Sequence, residues 1–413
     1  MKRYLICVQA TSMLLILVIC SFLAIAETER LPPVILVPGD GGTRIEAKLN
    51  KPNRGPHHIC SKTTNKYETI WLYIPDVLVP WGTECFVNNF RLEYNRSTHK
   101  SSSPDGVDIR IPLFGETDSV EWLNDDHFIG YYDQLVKEMV SWGYERGKTV
   151  RGAPYDFRRA PNELGEFYTN FTNLVEDTYK INGNKKVVIV GHSLGNLVML
   201  YHLQHRTQSW KDKYIQAFIS LSAPWLGSVK TVRMVASGFN INVATVKTLE
   251  ARSLQRTMPS SAFLLPSPKF WNKSEVLVQT PHKNYTVNDY KEFFTDLNFT
   301  DGYLMMKDTV NLVDPLKPPN VAVHCLYSYG LDTTRKLVYT ADQWPDKQPK
   351  LVPGDGDKTV SIRSLEVCLS WKQQQRQPFY SQRFKGIAHS NTIKHDIVIK
   401  SIQSILMKYS SQK

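Results

Sequence analysis

Short apolar runs alternate along this chain with stretches in which apolar positions recur every three or four residues. The runs at 34–37 (Val, Ile, Leu, Val), 187–190 (Val, Val, Ile, Val) and 217–221 are nearly continuous, as in strands buried on both faces. Between them, 128–142 sets Phe128, Tyr131, Tyr132, Leu135, Val136 and Met139 on one side of a predicted helix. In 163–179, Leu164, Phe167, Phe171, Leu174 and Val175 oppose Glu163, Glu166, Asn170, Asn173 and Asp177. Further strands are predicted near 149–152 and 321–327, and a last helix is patterned by Ile393, Ile397, Ile402 and Ile405. Strands alternating with helices predict an α/β protein with a mainly parallel sheet covered on both faces. From Leu221 to Asp357 the chain runs 136 residues (357 minus 221), where one strand–helix unit needs about 30. The segment 225–320, rich in Ser, Pro, Asn and aromatics, is therefore expected to be an inserted cap or lid.

The 187–190 run leads directly into Gly191, His192, Ser193, Leu194, Gly195 and a helical stretch from Asn196 to Leu203. Strand, Gly-x-Ser-x-Gly and helix together form the context of a nucleophile elbow, where a serine hydroxyl stands on a sharp turn and side chains at the flanking glycines would collide with neighbouring elements. A serine nucleophile needs a histidine base, and the base needs a carboxylate. In α/β-hydrolases the chain order is Ser, then Asp or Glu, then His. Downstream of Ser193 the glycine-rich turn 353–360 carries Asp355 and Asp357, with Asp357 preferred, and only His389 and His395 follow. His389 lies in a loop ahead of the last helix and is the preferred base. A calcium loop spaced on Asp355, Asp357, Thr359 and Glu366 is disfavoured by Val360, which stands where that loop needs glycine. The oxyanion hole is expected from the backbone N–H of Leu194 and, in the Pro38–Gly39–Asp40–Gly41–Gly42 loop after the first strand, of Asp40. That loop lacks the Gly-Lys-Ser/Thr ending of a phosphate loop.

Residues 1–26 carry Lys2 and Arg3, an apolar stretch dense from 13 to 25 and a small-residue ending, the pattern of a secretory signal peptide. Cys7 and Cys20 would leave with it. Cys60, Cys85, Cys325 and Cys368 remain, an even set suited to an oxidising compartment. Four cysteines allow three pairings, of which the short-range one, Cys60 with Cys85 and Cys325 with Cys368, is preferred; no Cys-x-x-Cys spacing supports zinc. Five sequons follow, at Asn95, Asn170, Asn272, Asn284 and Asn298. The chain's 50 Lys and Arg against 39 Asp and Glu give +11, or +9 without Lys2 and Arg3. No basic tract suggests nucleic acid. Anionic lipid is the favoured partner, at about 1 kcal/mol per basic residue close to the surface.

Taken together, Pro-Pro-Val-Ile-Leu-Val-Pro-Gly-Asp (32–40), Arg-Gly-Ala-Pro-Tyr-Asp-Phe-Arg-Arg-Ala-Pro-Asn (151–162), Gly-His-Ser-Leu-Gly-Asn (191–196), Ser-Ala-Pro-Trp-Leu-Gly (222–227) and Gly-Asp-Gly-Asp-Lys-Thr-Val (354–360) resemble the lysosomal phospholipase A2 and lecithin:cholesterol acyltransferase family. The resemblance implies an α/β-hydrolase domain over 27–413 and a triad of Ser193, Asp357 and His389, with Asp40 and Leu194 at the oxyanion hole. It also implies the same two disulfides and a structural ion pair between Asp156 and Arg158. It implies a membrane-binding element over 55–90, with Trp71, Leu72, Leu78 and Trp81 at the lipid, from which this sequence departs by carrying Pro75, Asp76 and Glu84. A lid is implied from Trp225 to about Thr257. The absence of extra unpaired cysteines and of a proline-rich tail favours the lysosomal phospholipase branch. The implied activity is cleavage of a glycerophospholipid acyl ester, with transfer to water or to a lipid alcohol such as ceramide. It would be carried out by a monomer at a membrane surface, in the lysosome or outside the cell, without metal or cofactor. The competing readings are an extracellular phosphatidylcholine–sterol acyltransferase and a noncatalytic secreted lipid carrier.

Overall fold

In the computed structural model, which describes residues 31–410 except Pro80, Ile241, Asn242, Ala244 and the side chains of Asp76 and Val77, the apolar runs become one sheet. The expected signal peptide lies outside the described residues. The strands are β1 (Val34–Val37), β2 (Val150–Gly152), β3 (Val187–His192), β4 (Ile215–Leu221), β5 (Val323–Tyr329) and β6 (Phe379–Lys385). They lie in the order β6-β5-β4-β3-β1-β2, and every neighbouring pair is parallel. Parallel pairing requires crossovers, and these place helices on both faces.

The side chains divide by the two-residue period of a strand. Val34 and Leu36 of β1, Val188 and Val190 of β3 and Ile219 of β4 pack on α1 (Asp133–Ser141) and on the C-terminal helix Asp396–Ser410. Ile35, Val37, Val187 and Ile189 face α2 (Gly165–Ile181) and α3 (Leu194–Gln204). Each such Val, Leu or Ile withdrawn from water stabilises by about 1.5–3 kcal/mol. A parallel sheet between two helix layers, with α3 springing from β3, is the α/β-hydrolase fold.

Two segments differ from the sequence expectation. The helix predicted over 128–142 begins only at Asp133, and Phe128 is 79% exposed. Backbone groups before Asp133 are engaged elsewhere: Asn124 Oδ1 takes the N–H of Phe128 and Ile129, and Tyr131 and Tyr132 donate to Glu121 and Val120. Glu163, placed on a solvent face, sits before α2 with its side chain held by Arg159 and Ser101 N–H.

The long excursion between β4 and β5 has its own apolar cluster, including Val229, Val232, Trp271, Tyr290, Phe293, Phe294 and Met305. That cluster takes in Leu337 and Tyr339, because strand Leu331–Val338 joins Val278–Gln279, Asn284–Tyr285 and Lys350–Gly356 in a second sheet. The packed unit therefore extends past residue 320, where the sequence reading ended it. Trp225, expected at the start of a lid, is buried and packs edge-on against Trp371. Cys325 in β5 is bonded to Cys368, and Cys60 to Cys85. No helix among the described residues is long and apolar enough to cross a membrane.

Candidate active site

Strand β3 ends and α3 begins at a single residue, Ser193, whose φ of 51° and ψ of −126° belong to neither element. Such a backbone is strained for a residue with a side chain and persists where its surroundings fix it. Ser193 N–H donates to Leu221 O at 3.0 Å, and the Asn196 amide donates to both Ser193 O and Leu221 O, tying the turn to the end of β4. A Cβ on Gly195 would stand 2.4 Å from Pro38 O, and one on Gly191 would stand 2.6 Å from Asn196 Oδ1. The turn closes against β1 because Gly195 lacks a side chain, and the Asn196 amide fits against the end of β3 because Gly191 lacks one.

The loop after β6 brings His389 to this turn. Its Nε2 lies 2.8 Å from Ser193 Oγ, and its Nδ1 lies 2.7 Å from Asp357 Oδ2. Asp357 is fully buried, and its Oδ1 accepts the N–H groups of Thr359 (3.0 Å) and Val360 (2.7 Å). His389 N–H in turn donates to Asp357 O at 2.8 Å. A carboxylate only accepts, so the imidazole proton sits on Nδ1 and leaves Nε2 bare to receive the Ser193 hydroxyl proton. Asp355, the neighbouring carboxylate, is turned to Gly330 N–H instead, and His395 lies on the segment entering the C-terminal helix.

Loop 38–42 arrives from β1. Gly42 N–H bonds back to Gly39 O, Gly39 N–H donates to Tyr131 Oη, and Trp71 Nε1–H donates to Gly41 O. These bonds fix the peptide carrying the Asp40 N–H beside the elbow, and Leu194 N–H opens α3 immediately after Ser193. The Asp40 side chain reaches solvent, but protein surrounds it closely, and this desolvation raises its pKa to about 6 against the pull of Lys230 and His389. Lys230 is a site residue that sequence reasoning missed, and no motif marks it. Burial lowers its pKa against the carboxylates of Asp40 and Asp357; its Nζ lies 3.4 Å from Thr359 Oγ1 and over the Phe239 ring.

The disulfide-tied element divides its aromatic residues between two tasks. Trp81 and Leu78, each 57% exposed, face solvent with Tyr73 and Val79, while Leu72 is half-buried. Trp71, also expected at the lipid, is half-buried: it stacks on Phe90 and meets Phe157 edge-on. Its indole N–H is committed to Gly41, which holds the ring inward. Glu84 pairs with His57 at 2.5 Å. Arg158 is buried, grips Asp156 through two 2.8 Å bonds and donates to Phe90 O. Burial opposes the Asp156 charge, and the Arg158 and Arg159 guanidiniums override it, holding the carboxyl below its ordinary range. All five sequon asparagines are exposed.

Residues 67–401 match the family described as lecithin:cholesterol acyltransferase. The chain is similar to the "Lysosomal phospholipase A and acyltransferase" of Rattus norvegicus, 44% identical over 382 residues, which are 92% of this chain and 91% of that one. The protein of the same name from Homo sapiens is 43% identical over 380 residues, 92% and 91% of the two chains. The "Phosphatidylcholine-sterol acyltransferase" of Gallus gallus is 41% identical over 367 residues, 89% and 88% of the two chains.

Proposed function

This chain belongs to the lecithin:cholesterol acyltransferase family, and from that premise we propose that it is a phospholipid acyl hydrolase and transacylase with Ser193 as its nucleophile. The observation that carries the reading is the continuous hydrogen-bonded line from Asp357 Oδ2 through His389 to Ser193 Oγ, at 2.7 and 2.8 Å.

In the proposed mechanism, His389 Nε2 takes the Ser193 proton as Oγ attacks the ester carbonyl. The negative oxygen that forms is held by the N–H groups of Leu194 and Asp40, a contribution of about 2.7–4 kcal/mol per donor. The charged imidazole is stabilised by Asp357 and then protonates the departing lysophospholipid oxygen, leaving an acyl-enzyme. Water or a lipid alcohol such as ceramide loses its proton to the same Nε2 and attacks the acyl carbon, and Nε2 passes that proton to Ser193 Oγ as the acyl–oxygen bond breaks. Leu78 and Trp81 would seat the enzyme as a monomer at the lipid surface. The positive charge of the chain favours anionic lipid. The disulfides suit a secretory route ending in the lysosome or outside the cell.

The test is product analysis by mass spectrometry with anionic phospholipid vesicles, with and without ceramide or sterol, at acid and neutral pH. Fatty acid, lysophospholipid and acylated ceramide that vanish in Ser193→Ala are the expected products. Turnover that survives Ser193→Ala would refute the proposal, and sterol ester formed at neutral pH would redirect it to the sterol-esterifying activity.

A further inference from the structure

His192, the residue before the nucleophile, is buried, and its ring centroid lies 5.0 Å from that of His389. Its two nitrogens have different partners. Nε2 lies 3.1 Å from the main-chain carbonyl of His389, and Nδ1 lies 2.6 Å from Tyr131 Oη, which also receives Gly39 N–H at 2.8 Å. A carbonyl only accepts, so the His192 proton must sit on Nε2. Nδ1 is then bare and must accept the Tyr131 hydroxyl proton. The Tyr131 oxygen keeps its lone pairs for Gly39 N–H. Every donor in this line has one acceptor, and the direction of each bond follows from the two fixed ends.

We infer that His192 and Tyr131 are positioning residues that tie the backbone of the base His389 to the oxyanion loop at Gly39. The inference rests on the proposed roles of His389 and of the Asp40 N–H. His389 is held at three points: its N–H by Asp357 O, its Nδ1 by Asp357 Oδ2 and its carbonyl by His192. Tyr131 extends that hold to the residue immediately before the Asp40 N–H. One line of bonds thus sets the distance between the group that takes the proton and the group that stabilises the oxyanion, which are needed at the same instant. His192 must also stay neutral, since a cation there would oppose the imidazolium that His389 becomes. Burial, and then the neighbouring His389, keep its pKa well below the ordinary histidine value.

The experiment compares wild type, Tyr131→Phe, His192→Gln, the double variant and Ser193→Ala in steady-state hydrolysis of phospholipid vesicles. Tyr131→Phe keeps the ring and loses the hydroxyl. A kcat lower by about 10- to 100-fold with KM nearly unchanged is expected, somewhat less than loss of an oxyanion donor itself. The double variant should lose no more than the worse single variant, because both break one line. Wild-type kcat in Tyr131→Phe, or losses that multiply in the double variant, would overturn the inference. If His192→Gln fails to fold, imidazole nitrogen shifts of 15N-labelled wild type supply the second test. They should report a proton on Nε2 of His192 and none on Nδ1 from about pH 5 to 8, and a proton on Nδ1 would overturn the assignment. Turnover persisting in Ser193→Ala would remove the catalytic reading itself. Ser193-dependent turnover that ignores Tyr131→Phe would remove only the coupling.

Discussion

Trp71 donates its indole N–H to the Gly41 carbonyl at 2.8 Å, so the disulfide-tied element and the loop beside the nucleophile share a hydrogen bond. Trp71→Phe would keep the stacking on Phe90 and lose that bond, a net loss of about 1 kcal/mol. Turnover is expected to fall several-fold while vesicle binding stays at the wild-type level. The opposite is expected of Leu78→Ser combined with Trp81→Ser, which removes two exposed apolar side chains worth about 1.5–3 kcal/mol each when buried in lipid. Vesicle sedimentation and hydrolysis of a soluble ester separate the two effects. Release of Trp71→Phe from vesicles would contradict the inward role given to this ring.

Asp357→Asn tests the tautomer argument. The Asn oxygen can still accept Thr359 and Val360 N–H, so the loop should hold and the melting temperature should change little. Its amide nitrogen, however, would point a donor at His389 Nδ1. The imidazole would then carry its proton on Nε2 and have no lone pair there to take the Ser193 proton. A kcat loss on the order of 10⁴ is expected, with Ser193 labelling by a fluorophosphonate slowed in parallel. Normal labelling would mean that Asp357 does not set the protonation of His389.

The parallel sheet and the three residues of the hydrogen-bonded line were legible because their signals are local. The run 187–190 is short, wholly β-branched and followed by Gly191, which marks a two-sided strand, and Gly-x-Ser-x-Gly between strand and helix is a steric requirement written in adjacent residues. Chain order then left few candidates for the acid and the base. What stayed hidden depends on contacts between distant segments. The period at 128–142 suits a helix as far as Phe128, but the Tyr132 N–H that would close its first turn on Phe128 O goes to Val120 O instead. Trp71 reads as one of several apolar residues in a loop until its N–H is seen bound to Gly41. Lys230 joins the site by folding of the excursion after β4, and no neighbour in sequence announces it.

Asp40 gives the activity a pH dependence with a definite sign. With its pKa raised to about 6, the carboxyl is neutral on the acid side and negative above. A negative charge beside the oxyanion hole opposes the developing oxyanion, so turnover should fall as pH rises through about 6. Asp40→Asn keeps the backbone donor and should flatten that limb. Lys230→Gln removes the cation that lowers the Asp40 pKa, and the limb should move to higher pH. The stability linkage has the same direction: a carboxyl with a raised folded pKa contributes stability below the unfolded value of 3.8, and loses it as pH rises through about 6. Rate profiles of the three proteins, each with its melting temperature, check both statements, and an unchanged limb in Asp40→Asn would assign it to another group.

Two glycines at helix starts should respond to alanine with opposite signs. Gly195 lies in the first turn of α3, where propensity alone favours alanine by about 1 kcal/mol. A methyl there would nonetheless meet Val37 O at 2.6 Å and Pro38 O at 2.4 Å, both backbone atoms of β1 and its loop. Neither can retreat without opening the sheet or moving the oxyanion loop. Gly195→Ala should therefore destabilise by about 1–3 kcal/mol and cut Ser193 labelling more steeply than it lowers the melting temperature. Gly165 opens α2 with nothing within 4 Å of the added Cβ. Gly165→Ala should stabilise by about 0.4–1 kcal/mol, through the entropy it removes from the unfolded chain, and leave labelling unchanged. If both variants melt above wild type and label normally, close packing at Gly195 is not what shapes the elbow.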